Sequence, residues 1–152
     1  VPPALPADEC GLYALPPVTP EVEAMIREAS AKIRPHEASF RCKMEHHLHG
    51  GMYARTSRVA PNMAFTSVMI KIPTLVIVHG ECCVFVDGKW HIMSGYNVLA
   101  ASAHRIQAYA TFGENETEIT MLFPSAAKTV EEAEAEFTDE SEDLLSRRSK
   151  EA

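Results

Sequence analysis

Apolar residues recur along this chain with two different periods. Val22, Met25, Ile26, Ala29 and Ile33 return at three- and four-residue intervals, which places them on one face of a helix. Thr19 supplies an N-cap, Pro20 suits the first helical position, and Glu21 and Glu23 put negative charge in the first turn. Pro35 is expected to end that helix, because proline disfavours helical backbone in the residue before it. From about Phe40 to Phe123 the pattern shortens to runs of β-branched, aromatic and alternating residues. It predicts strands at Met52–Val59, Ala64–Lys71, Leu75–His79, Cys82–Val86, Lys89–Met93, Asn97–Ala100, His104–Ala110 and Glu116–Phe123. The breaks fall at Gly50-Gly51, Pro61-Asn62, Pro73, Gly80, Asp87-Gly88, Ser94-Gly95 and Gly113. Short strands with frequent turns favour an antiparallel sandwich or barrel. Asp87-Gly88 is a strong hairpin signal, since a type I′ turn needs positive φ at both central positions.

The two ends differ from this middle. Six of the ten prolines lie within residues 1–20, at positions 2, 3, 6, 16, 17 and 20, so this segment is expected to be an extended arm. Leu5, Leu12, Tyr13, Leu15 and Val18 are too many for a solvated linker, so the arm should lie across the barrel or a neighbouring subunit. Beyond Pro124, Thr129 and Glu132 match a capping box ahead of Ala133 and Phe137. Residues 139–149 are very polar, with Leu144 and Leu145 the only large apolar side chains. The division that follows is 1–39 arm and helix, 40–124 β-barrel, and 125–152 an acidic helical tail.

Composition narrows the setting. A chain of 152 residues with 46% apolar content supports one folded domain. Of the net charge of -7, residues 125–152 carry about -5, leaving the rest nearly neutral. An acidic chain of this kind lacks the basic surface that nucleic acid requires. No apolar run reaches the roughly 18 residues of a membrane span. Cys10, Cys42, Cys82 and Cys83 show no paired spacing, and neighbouring strand residues such as Cys82 and Cys83 point to opposite faces. Four free thiols in a reducing cytoplasm is the expectation.

The candidate chemistry is sparse. Glu45, His47 and His49 share one face if residues 45–49 are extended, a set that suits zinc, iron or manganese. His104 falls on a face with Ile106, Ala108 and Ala110, while Arg105, Gln107 and Tyr109 take the other. A buried neutral imidazole bonded to the backbone is the plainer reading of His104. His36, His79 and His91 read as surface residues, and Cys82 and Cys83 lack the neighbours of a thiolate nucleophile.

The order Gly80, Asp87-Gly88, Gly95, His104 resembles the cupin family of jelly-roll β-barrels, over roughly residues 64–123. The resemblance implies a barrel that often holds a metal through an HxH pair, a glutamate and a final histidine. His104 stands where that last histidine belongs. The HxH positions fall at Ser67 and Met69, or at Thr66 and Val68, and the glutamate position at Pro73, none of which can serve. A second stretch, EHHLHGGMYAR at 45–55, resembles the opening of small cupin-like proteins of tailed bacteriophages, which often end in an acidic helical segment. That implies a host-cytoplasmic or virion setting, with phage or host proteins as partners.

Three readings follow. In the first, a cupin barrel with a degenerate metal motif and no cofactor serves as a non-enzymatic structural or interaction protein, assembling through its arm as a homodimer or higher homo-oligomer. In the second, Glu45, His47, His49 and His104 hold a divalent metal in a small-molecule enzyme. In the third, His104, Tyr109 and Met69 line a metal-free ligand-binding cavity. The first explains the missing ligands, the arm and the tail together.

Overall fold

The structure is a computed structural model that describes residues 2–39 and 42–144. Among the described residues there are eight strands: β1 Leu12–Leu15, β2 Cys42–His49, β3 Met52–Val59, β4 Ala64–Thr66, β5 Thr74–Val86, β6 Lys89–Ala101, β7 Ala108–Thr111 and β8 Thr117–Pro124. Helix α1 spans Pro20–Ile33 and α2 spans Val130–Phe137. The chain is mainly β and consistent with a jelly-roll barrel, as the sequence predicts.

The β5–β6 hairpin is its spine. Asp87 (φ 52) and Gly88 (φ 77) form the tight turn expected of them. Two strands were predicted on each side of that turn, but each pair is one continuous strand of 13 residues. Gly80 and Gly95 are the reason. They sit directly opposite one another in the ladder at positive φ, so the hairpin bends there without losing its pairing. Below the bend, β5 pairs with β8, which continues to β3 and β2; above it, β5 pairs with β7, which continues to β4. One bent hairpin therefore serves two sheet halves, and the core lies between them. Gly80 also brings the backbone close to β8, since a Cβ there would stand 2.6 Å from Thr117 Oγ1 and 2.9 Å from Thr117 Cα.

Other boundaries move for similar reasons. The strand expected at Ala64–Lys71 stops at Thr66; beyond it Ser67 and Ile70 still bond to Gln107 and Arg105, whereas Lys71 N–H goes to Phe137 C=O at 2.8 Å and Met69 N–H to Glu140 at 2.8 Å in the C-terminal segment. The strand expected from His104 begins only at Ala108, because His104 itself has φ 55. β2, absent from the predicted strands, pairs along its whole length with β3.

The helices start where local chemistry says they should. Thr19 Oγ1 accepts the Val22 N–H at 3.2 Å, and Thr129 Oγ1 accepts the Glu132 N–H at 3.2 Å. Glu132 reaches back to the Lys128 N–H at 3.0 Å rather than to the cap residue itself. The α-helix ends at Ile33, just before Pro35 as expected, and the chain then tightens into a 3-10 helix over Arg34–Ser39.

Both ends close onto the barrel. β1 runs parallel to β6, and Leu5 and Leu15 are buried in the same core cluster as Tyr53, Phe123 and Phe137. The segment after α2 was expected to dock weakly. Instead Thr138 donates to Met69 C=O at 2.7 Å and Leu144 is buried; Leu145 and the rest of the tail lie outside the described residues. Two ion pairs, Arg27–Glu140 at 3.0 Å and Arg34–Asp143 at 3.0 Å, tie the α1 region to this segment. Among the described residues no helix is long and apolar enough to cross a membrane.

Candidate functional site

Side chains alternate across a strand, so each inward face of a barrel is one half of a period-two pattern. On β3 the buried half includes Tyr53, Arg55 and Val59. On the approach to β7 the alternation splits Arg105, Gln107 and Tyr109 from Ile106 and Ala108. The apolar half faces outward here, because α1 covers it: Ile106 and Ala108 pack with Ile26 of α1. The polar half faces a cavity of about 90 Å³ inside the barrel, together with Arg55, Ser57 and Phe65. Phe137 of α2 and Leu144 of the C-terminal segment form part of its wall.

The polar groups around this cavity are buried and unequally matched. Arg55 pairs with Glu134 at 3.1 Å and stands over the Phe137 ring at 5.7 Å. Arg105, only 3% exposed, donates to Thr74 Oγ1 at 2.6 Å and Ser102 C=O at 3.3 Å, with the Met121 sulfur at 3.9 Å. No carboxylate faces it among the described residues. Burial lowers the Arg105 pKa to about 10, which still leaves it charged at neutral pH. Gln107 is 3% exposed; its main chain bonds to Ser67, but its side-chain amide has no partner among the described residues. Tyr109 stacks on Phe65 with centroids 5.2 Å apart, its hydroxyl makes no hydrogen bond there, and burial pushes its pKa up to about 12. A buried polar group without a partner costs about 1–3 kcal/mol. Arg105 has partners for part of its donor set, whereas Gln107 and Tyr109 have no side-chain hydrogen-bond partner among the described residues; none of the three is sealed from the cavity, so an occupant there could bond to them.

The residues singled out from sequence lie elsewhere, with one exception. Tyr109 lines the cavity. Met69 is half-buried under α1, packed with the Ile26, Ile106 and Ala108 cluster. His104 is exposed in the turn before β7, where its carbonyl accepts the Val18 N–H at 2.9 Å. Glu45, His47 and His49 do share the outer face of β2, at the end of the sheet order, but Glu45 is bound to Arg58 at 2.6 Å and both histidines are exposed. Among the described residues no group of three or more His, Cys, Asp or Glu could hold a metal ion, so these four do not fit one. The four cysteines are free, and burial pushes the Cys82 thiol up to about 12. Arg55, Arg105, Gln107 and Glu134 were missed. For Arg105 and Gln107 the signal was their two-residue spacing on one face with Tyr109, ahead of β7.

No family model and no curated protein matches this chain. Nine chains of solved structures do. One is the Cupin_2 domain of an XRE-family transcriptional regulator from Enterobacter cloacae, 14% identical with a TM-score of 0.45, covering 55% of this chain and 97% of that one. A Cupin 2 conserved barrel domain protein from Salinispora arenicola is 11% identical with a TM-score of 0.48, covering 59% and 84%. An HTH_3-family transcriptional regulator from Vibrio cholerae is 15% identical with a TM-score of 0.43, covering 55% and 51%. At these identities the likeness concerns fold alone.

Proposed function

We propose that this protein is a binding barrel that holds a small molecule in its interior. The observation that carries the reading is a cavity beside which, among the described residues, Gln107 and Tyr109 have no side-chain hydrogen-bond partner and Arg105 has part of its donor set unused. Ligand sites are mostly apolar with a few placed polar groups, and this lining has that character. Its described lining contains no His, Cys, Asp or Glu, so its hydroxyls, Ser57, Thr66, Ser67 and Tyr109, have no histidine or carboxylate among the lining residues to activate them. Binding is the role these side chains suit.

Assembly through the arm, as a structural or phage-associated protein, draws less support. Leu5 and Leu15 are buried against the chain's own barrel, and β1 gives its main-chain bonds to β6.

The test is a thermal-shift screen of small polar metabolites against the full chain and a Val68→Phe variant, in which the added ring fills the cavity. A ligand present at about a hundred times its Kd stabilises by roughly 2.7 kcal/mol, a readily measured rise in Tm. Hits that stabilise the wild type and leave a folded Val68→Phe protein unmoved are expected. Hits that shift both proteins equally, or the absence of any hit, would contradict the proposal.

A further inference from the structure

We propose that the occupant of the cavity is a short-chain carboxylate, its charged end against Arg105 with Gln107 and Tyr109 beside it. This rests on the binding-barrel reading and adds the class of ligand. Charge decides between a neutral and an anionic occupant. Two guanidinium groups reach the cavity, and only one of them is neutralised: Arg55 has Glu134 at 3.1 Å, whereas Arg105 has a hydroxyl, a carbonyl and a thioether. Among the described residues the interior therefore carries one uncompensated positive charge, in surroundings that screen it far less than water does.

Donor geometry points the same way. A guanidinium has five N–H donors, and Arg105 leaves its Nε–H and one Nη1 hydrogen without a protein acceptor among the described residues. A planar carboxylate matches a planar guanidinium, and hydrogen bonds between them are among the stronger ones available. The Gln107 amide can donate to a carboxylate oxygen, and Tyr109, kept protonated by burial, can donate as well. A phosphate dianion would bring a second negative charge to a site with one unmatched cation.

Size and wall chemistry set the rest of the molecule. A cavity of about 150 Å³ holds benzene, so 90 Å³ in proportion takes roughly four non-hydrogen atoms, and because the cavity is partly open the end of a four-carbon acid can project from it. Val68, Ile70, Val76 and Ile119 contribute apolar wall, which fits a short alkyl body.

Isothermal titration of the full chain with sodium butyrate, butyramide and inorganic phosphate tests this. Butyrate should bind once per chain, and butyramide, of nearly the same shape without the charge, should bind about tenfold to a hundredfold more weakly. Gln107→Leu keeps Arg105 and its anchors and should weaken butyrate about tenfold. Arg105→Gln should remove the preference for acid over amide; if it fails to fold, Arg105→Lys, which keeps charge without the planar fork, should reduce it. Equal affinity for butyrate and butyramide would overturn the carboxylate while leaving a neutral-ligand cavity standing. Phosphate binding as tightly as butyrate would overturn it too. Silence from all probes up to about 10 mM, where a Kd near 1 mM would already give saturation, would count against both readings.

Discussion

Arg55 and Arg105 are two buried cations handled in opposite ways. Glu134, 2% exposed, neutralises Arg55, and breaking such a pair leaves a buried charge with nothing to offset it. Glu134→Ala should therefore destabilise the fold by about 3–5 kcal/mol in chemical denaturation. A loss under about 1 kcal/mol would show that the pair is solvated and the cavity wetter than described. Arg105 has no such counter-charge among the described residues, which is why it reads as a site. Its role was visible in the sequence as Arg105-x-Gln107-x-Tyr109, yet the alternation alone does not say which half faces inward. Ile106 and Ala108 look like core, and they are buried, but beneath α1 on the outside of the barrel. The histidines misled for a related reason: imidazoles suggest chemistry, whereas His47 and His49 decorate an outer strand face and His104 supplies a turn.

Among elements, the bent β5–β6 hairpin sets the barrel's shape, and its two opposed glycines do different work. At Gly80 an added Cβ meets Thr117 backbone and side chain within 3.0 Å, at φ 143; at Gly95, φ 76, it meets nothing within 4 Å. Gly95→Ala should cost only the backbone term, about 1–2 kcal/mol, and Gly80→Ala should cost a further 1–3 kcal/mol for the overlap. Equal melting temperatures for the two variants would contradict the close approach. The helices were legible because their caps are local: Thr19 and Thr129 announce them within four residues. The hairpin's continuity was not, since a glycine reads as a break until the strand opposite is known to bend with it. The same holds for β2, whose polar side chains hide a ladder made entirely with β3.

At the scale of the whole molecule, arm, barrel and tail share a single core. Leu5 and Leu15 from the arm, Tyr53 and Phe123 from the strands and Phe137 and Leu144 from the C-terminal segment belong to one cluster of buried side chains. The division into arm, barrel and tail marks changes in composition that packing then joins. That closure matters for function, because Phe137 and Leu144 form part of the wall of the cavity that holds Arg105. The most direct test is to watch the interior itself. In a nitrogen-15 NMR titration of the full chain with sodium butyrate, the Arg105 Nε–H and Gln107 side-chain amide signals should move together and saturate, with the imidazoles of His47 and His49 unmoved. Stationary interior signals alongside moving outer-face histidines would contradict the account.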